Sequence, residues 1–363
     1  MTVDARAGVI AEPTAPAPPW PAQPRGVPWP TERWAEAEPD GADTAVDRAR
    51  LDRLLDAAFP DPDDAPFGMS LATVVVQRGT LVAERYGSSS GPDEPLISWS
   101  MAKSVTHALV GVLVAAGRIG LEQRVVPEWQ DDDDPRGSIT LDHLLRMVPG
   151  TVFNEDYVDE EASHCIDMLF GSGNADMAAF TAALPAVAPP DTVFNYSSGT
   201  TNLITRAMAS IVGGGDAFVR WAGKVLFEPI GMHSAHLTFD GSGTWVGSSF
   251  LHATARDFAK FGLLYLRDGV WDGERILPAG WADTARTTRA HDDEGNAYAS
   301  HWWVWEDGVF AAQGYETQRI LVDPKADVVI VRLGKTPAEH AEAVDEWLCD
   351  LLACFPPVQS GCS

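Results

Sequence analysis

Residues Ser100 to Ala116 read as a helix whose interior, VTHALVGVLVAAG, is apolar nearly all round. Such a helix has no face to give to water, so other layers must enclose it. Gly117 ends it. At its mouth stands the tetrad Ser100-Met101-Ala102-Lys103. The only lysines in the chain are Lys103, Lys224, Lys260, Lys325 and Lys335. One of so few inside an apolar stretch asks for a chemical reason.

The flanking sequence supplies the layers. A short helix is expected over Arg48 to Ala58, carrying Leu51, Leu54 and Leu55. The strand-like runs SLATVVVQ (70–77) and TLVAERYG (80–87) are separated by Arg78-Gly79, a hairpin signal. From there to about residue 245 the signals are helical. Thr140 caps LDHLLRM, Asp176 precedes MAAFTAAL, Ser198 and Gly199 precede TTNLITRAMASIV, and AFVRWAGKVLFEPIG continues the pattern. ATARDFAKFGLLYLRDG (253–269) is a further helix. Strand character returns in HWWVWE, VFAAQG, QRILVD and ADVVIVRLG, and a last helix runs from Ala338 to about Cys354. The order predicts an α/β (α+β) fold: one antiparallel sheet built from both chain ends, flanked by helices, with a mainly helical subdomain inserted. The expected division is a Pro-rich arm (1–45), a catalytic domain (46–357) and a tail (358–363). Within that domain, 46–98 and 246–357 form the α/β part and 99–245 the helical part. The arm, with Trp20, Trp29 and Trp34 among its prolines, is either laid over the body or partly disordered.

Charge narrows the function. With 26 basic and 52 acidic side chains the net charge is −26. That repels phosphate backbones and anionic lipid, so neither nucleic acid nor a membrane surface is expected as a partner. The N-terminus lacks a basic segment followed by a long apolar run, no stretch has the length of a membrane span, and the four cysteines make no CxxC pair. The expectation is a cytoplasmic protein with no metal and no cofactor. Asp131 to Asp134 lack the oxygen alternation and glycine of a calcium loop and read as a solvated turn.

Residues three apart share a helical face, so the Lys103 amine can reach the Ser100 hydroxyl. A serine hydroxyl is a weak nucleophile without a base beside it. Desolvation disfavours an ammonium, so an enclosed lysine can accept or relay that proton. The helix N-terminus sets backbone N–H groups where an oxyanion would form. On spacing alone the tetrad is equally a serine cap with an exposed lysine. The apolar helix behind it, and the lack of any other lysine with a serine three residues before it, favour the chemistry. His107, one turn on, reads as a buried neighbour that tunes Lys103. Trp302, Trp303 and Trp305 read as core.

The run ISWSMAKSVTHALVGVLVAAGRIGLEQRVVPEW resembles the active-site helix of class C-type β-lactamases, penicillin-binding proteins and their esterase and amidase relatives. ITLDHLLRMVPGT, FNYSSGTTNLI, LFEPIGMHSAHLTFD, ATARDFAKFGLLYLRDGVWDGERILP and GYETQRILVDPKADVVIVRLG resemble later landmarks of that family, in order, over about residues 50 to 355. The likeness runs particularly to 6-aminohexanoate-dimer hydrolases and related carboxylesterases.

The resemblance implies that Tyr196 completes the site with Ser100 and Lys103. A phenol near a lysine ammonium is expected to have its pKa lowered and to take the serine proton. Ser198 would bond Lys103 or the substrate. Tyr157, in FNEDY, matches a tyrosine that closes over substrate, and Gly314 is a substrate-binding position. Counting back from QRILVDP puts Val309-Phe310-Ala311 where the family carries a Lys-Thr-Gly run, which argues against β-lactamase activity. Ala312 is then the expected second oxyanion donor beside Ser100. Gly334-Lys335-Thr336 is a decoy after the last strand. The implied activity is hydrolysis of a small-molecule ester or amide through an acyl-serine. An acyltransferase, a D-amino-acid peptidase or amidase, and a non-catalytic binding relative remain as alternatives. Substrate identity and oligomeric state stay open.

Overall fold

A computed structural model describes residues 8–11, 18–35, 46–60, 67–131, 133–159 and 162–358. Asp132, Cys362, residues 359–363 of the tail and much of the arm lie outside the described residues. In chain order the first strands are β1 (Val9–Ile10), β2 (Met69–Gln77), β3 (Thr80–Tyr86), β4 (Leu96–Ile97), β5 (His236–Leu237), β6 (Leu251–Ala253), β7 (Val270–Trp271) and β8 (Glu274–Arg275). The rest are β9 (Ala290–His291), β10 (Ala297–Tyr298), β11 (Trp303–Val304), β12 (Phe310–Gly314), β13 (Gln318–Asp323) and β14 (Val328–Lys335). Nine of them form one sheet in the order β1-β9-β10-β11-β12-β13-β14-β2-β3, every pair antiparallel. Both chain ends contribute, as expected.

The β2–β3 turn puts Arg78 and Gly79 at φ 51° and 73°. A two-residue hairpin with both central residues left-handed matches the twist of its strands. The central strands are hydrophobic on both faces because helices cover both. Val74, Val76, Ile320, Val322, Val329 and Val331 face one core, while Val75, Leu321, Val328 and Ile330 face another. This is the period-two alternation of a strand with two buried sides.

The helices are α1 (Arg48–Ala58), α2 (Ala102–Ala115), α3 (Leu141–Leu145), α4 (His164–Phe170), α5 (Met177–Ala182), α6 (Ser198–Val212), α7 (Asp216–Ala222), α8 (Ala255–Leu266), α9 (Trp281–Thr284) and α10 (Ala341–Leu352). α1 and α10 cover the second core, and α2 and α8 lie in the first. α8 touches the sheet at Gly262, where a Cβ would stand 2.6 Å from Val329. α2 is buried without a break from Ala102 to Gly111. Thr140, Asp176 and Thr254 cap α3, α5 and α8 with their side chains. α6 starts two residues earlier than read, because Ser197 is its cap and accepts from the Thr200 amide at 2.9 Å. Gly334 and Lys335 belong to β14, two strands away from β12, rather than following it, and pair with Ser70 and Met69 of β2.

The described part of the arm lies on the body. Trp20 packs edge-on against Phe310 and carries the Arg286 guanidinium 3.5 Å above its ring. Trp29 packs on Trp271, and the Trp34 indole N–H bonds the Arg256 carbonyl. An open groove of about 980 Å³ lies along residues 26–35 and Asp272. It contains none of the groups discussed below. Among the described residues no helix is long and apolar enough to cross a membrane.

Candidate active site

Ser100 sits in a 3-10 turn, Trp99–Met101, that leads into α2. Trp99 holds φ 45°, a left-handed conformation that is costly for a bulky residue. The turn is braced from below: Ser98 Oγ bonds the carbonyls of Trp99 and Ser249, and the Ser98 amide bonds Leu251. The result lifts Ser100, 9% exposed, to the floor of a cavity.

Lys103 is buried one turn below. Its Nζ donates to Ser100 Oγ at 2.9 Å, to Ser198 Oγ at 2.9 Å and to the Ser248 carbonyl at 3.1 Å. Three acceptors match the three N–H bonds of an ammonium. Nζ also stands 4.7 Å from the centre of the Tyr196 ring. That ring is clamped by Tyr298, edge-on at 5.8 Å, and by Trp303 at 5.4 Å. Trp302 is core, stacked with Phe261, whereas Trp303 shapes the site through Tyr196. Trp305 packs at the margin of the second core.

The Tyr196 phenol departs from expectation. Burial raises its pKa, and this outweighs the lowering by the neighbouring Lys103 and Ser100; Glu155 raises it further. Enclosure disfavours the phenolate more than the neighbouring cation favours it. Tyr196 therefore rests as a proton donor, not as a ready base.

Glu155 escaped the sequence reading, although it lies two residues before Tyr157. Its carboxylate accepts from the Ser198 amide at 2.7 Å, from the Ser198 hydroxyl, and from the Tyr157 hydroxyl at 2.8 Å. One oxygen is 3.9 Å from Lys103 Nζ. A continuous chain thus runs Ser100–Lys103–Ser198–Glu155–Tyr157. One glutamate in a chain with 52 acidic residues carried no signal that could have singled it out.

His301 was also missed. Its Nδ1 is 2.8 Å from the Leu145 carbonyl, so that nitrogen donates and Nε2 accepts from Thr201 at 3.1 Å. Its own carbonyl takes the Ser104 hydroxyl. It ties α2, the end of α3 and α6 together behind the site, and burial pushes its pKa down to about 3. His107 makes its bonds to Tyr265 and Thr284 and stacks on Trp281. It braces α9 and has no hydrogen bond to Lys103.

The strand reading needs two corrections. The Trp305 amide donates to the Val309 carbonyl, so backbone groups of odd-numbered β12 residues face β11. The Gly314 carbonyl, with Arg319 Nη1 at 3.5 Å, faces β13. By the two-residue alternation, the N–H of Ala312 points into the β13 ladder, opposite Ile320. It cannot serve as the second oxyanion donor. A Cβ added to Gly314 would lie 2.4 Å from the Ser98 carbonyl and 3.2 Å from the Ser100 amide. β12 therefore meets Ser100 at Gly314, and only glycine permits that approach. By the same alternation the N–H of the next residue, Tyr315, falls on the side away from β13. The residues that flank Ser100 in place of a Lys-Thr-Gly run are thus Ala312-Gln313-Gly314, not Val309-Phe310-Ala311. The absence of a lysine there is unchanged.

The cavity over Ser100 holds about 240 Å³ and is walled by Tyr157, Cys165, Ser198 and Tyr315 among others. Cys165 is a buried thiol. Among the described residues no group of three or more His, Cys, Asp or Glu side chains is arranged to hold a metal ion.

Residues 65–354 match the family model described as Beta-lactamase. The chain is 28% identical over 324 residues to a 6-aminohexanoate-dimer hydrolase of Paenarthrobacter ureafaciens, covering 82% of this chain and 81% of the relative. Its structure is similar to that of a family VIII carboxylesterase, with a TM-score of 0.66 at 15% identity, covering 85% of this chain and 97% of that one. It is also similar to a penicillin-binding protein homologue from Pyrococcus abyssi, at TM-score 0.62 and 19% identity, covering 79% and 74% of the two chains.

Proposed function

The chain belongs to the beta-lactamase family, and from that premise we propose that it is a serine hydrolase of small esters or amides. Ser100 is the nucleophile, and an acyl-Ser100 is the intermediate. The observation that carries the reading is Lys103 Nζ at 2.9 Å from both Ser100 Oγ and Ser198 Oγ beneath an open cavity.

In the reactive form Lys103 is the free amine and Tyr196 the phenol; Ser100 Oγ attacks the carbonyl carbon and passes its proton to Lys103 Nζ, 2.9 Å away. The N–H groups of Ser100 and Tyr315 receive the oxyanion. When the tetrahedral adduct collapses, Tyr196 gives its proton to the departing oxygen or nitrogen and takes one back from the Lys103 ammonium, which returns to the amine. Water then repeats the sequence on the acyl-serine. Each half-reaction takes one proton and gives one back. A buried Tyr196 that stays protonated suits the donor role, which an amine leaving group needs most.

The relatives' activities fit this chemistry: one is named for hydrolysis of 6-aminohexanoate dimer and another for carboxylesterase activity. The test is Ser100→Ala with a p-nitrophenyl ester, followed by intact-mass measurement. Turnover is expected to fall by about a thousandfold or more, and an acyl adduct to form on the native protein alone. Undiminished turnover removes the proposal.

A further inference from the structure

The walls of the Ser100 cavity carry more information than the nucleophile. Trp99, Ile166, Leu169 and Phe170 line it beside Tyr157 and Tyr315. Ring contacts run unbroken along one side: Phe170 to Phe250, Phe250 to Trp99, Trp99 to Tyr315 and Tyr315 to Tyr157, with centroids 5.1 to 6.2 Å apart. Both ends of the belt reach the open, Phe170 at 62% exposed and Tyr157 at 39%. Large apolar side chains left to water at the rim of a cavity mark a surface that something covers.

Charge is as informative. None of the lining residues is Lys or Arg. Among the described residues the cation beside the cavity is Lys103, whose Nζ bonds three acceptors. The nearest carboxylate, Glu155, is turned away into its bonds with Ser198 and Tyr157. An anionic group placed in this cavity would be desolvated without a partner, which is costly. Size sets the upper limit. A cavity of about 150 Å³ holds benzene, so about 240 Å³ admits a ring with a short tether, roughly ten non-hydrogen atoms. The acyl side of the substrate is the side held here, because the leaving group must depart toward the proton donor Tyr196, which is not among the cavity's walls.

Building on the acyl-serine reading, we propose that the cavity selects neutral, apolar acyl groups of aryl-acetyl or medium-chain size and rejects acyl groups that bear a carboxylate. The aromatic belt from Trp99 to Tyr157 receives the part of the acyl group beyond the carbonyl. Phe170 closes the far end.

The experiment uses the whole protein and p-nitrophenyl esters of four acids with one common leaving group: acetic, hexanoic, phenylacetic and succinic (as the hemi-ester). kcat/KM for hexanoate and phenylacetate is expected to exceed that for acetate by about tenfold or more. The succinate hemi-ester is expected to fall below acetate. Phe170→Ser is expected to lower the phenylacetate-to-acetate ratio by about fivefold. A ranking that is flat or falls with size, or a succinate rate at or above acetate, overturns the inference while leaving Ser100 as nucleophile. Absence of turnover and of any acyl-Ser100 mass with all four esters removes the underlying reading, and the inference with it.

Discussion

Lys103 Nζ and Glu155 Oε1 stand 3.9 Å apart, with the Ser198 hydroxyl bonded to both. The pair is almost wholly enclosed, with side-chain exposures of 2% and 11%. The carboxylate does not reach Ser100. It acts through Ser198, whose amide and hydroxyl it orients, and through the charge it sets beside Lys103 and Tyr196.

Glu155→Gln keeps the shape of the site and removes that charge. kcat is expected to fall on the order of tenfold to a hundredfold, with a smaller change in KM. Glu155 raises the Tyr196 pKa, so its neutralisation should shift the basic limb of the pH–rate profile to lower pH. A profile that keeps its position would reduce Glu155 to a packing role.

Lys103→Met should abolish ester turnover and also leave Glu155 buried without its cation. Removing one member of a buried pair is costly because the remaining charge stays desolvated. Lys103→Met/Glu155→Gln is therefore expected to be more stable than Lys103→Met alone, by at least about 1 kcal/mol in urea unfolding. Equal stabilities would show that the two groups are not coupled.

Two buried histidines, His107 and His301, make stability depend on acidity. Burial lowers the pKa of His301 to about 3, and burial with His301 beside it lowers that of His107. Unfolded, each titrates near about 6.5. Between that pH and about 3 the unfolded chain binds a proton that native His301 does not, so stability is complete above about 6.5 and is lost as pH falls, by about 1.4 kcal/mol per pH unit per histidine. His301→Gln should make the pH dependence of unfolding between pH 6 and pH 4 shallower by about one proton. An unchanged slope would place the acid sensitivity elsewhere.

The N-terminal strand reaches the site from outside. Gly8 and Phe194 exchange backbone hydrogen bonds, and Ile10, Tyr196 and Trp303 all pack against the core cluster that holds Phe194 and Tyr298. A Cβ on Gly8 would meet the His291 carbonyl at 2.1 Å. Removing residues 1–11 should loosen the segment that carries Tyr196. The expected result is a kcat lower by about threefold to tenfold, with KM nearly unchanged. Native kcat in the shortened protein would show that the strand is dispensable for the site.

Much of the frame was legible because it depends on neighbours in the chain. The caps at Thr140 and Asp176 and the Arg78-Gly79 turn are such local devices. The sheet's strands showed themselves by β-branched runs that no surface strand would carry. Glu155 and His301 stayed hidden because their partners, Lys103 and Thr201, lie 52 and 100 residues away with no periodicity to link them. Ala312 was misread because a run of apolar residues reveals a strand without revealing which amides face which neighbour.

From its residues alone, this chain had to bury a greasy helix with a serine and a lysine one turn apart on the same face, since helical geometry puts them there whatever surrounds them. Folding settled the matters that depend on enclosure and pairing. The β11–β12–β13 ladder paired Ala312 with Ile320 and brought Gly314, not Ala312, up to Ser100. The packing of Tyr298 and Trp303 around Tyr196 desolvated its phenol enough to overcome the pull of Lys103. Hydrogen-bond phase and desolvation belong to the assembled molecule, because each is set by groups that only the fold brings near.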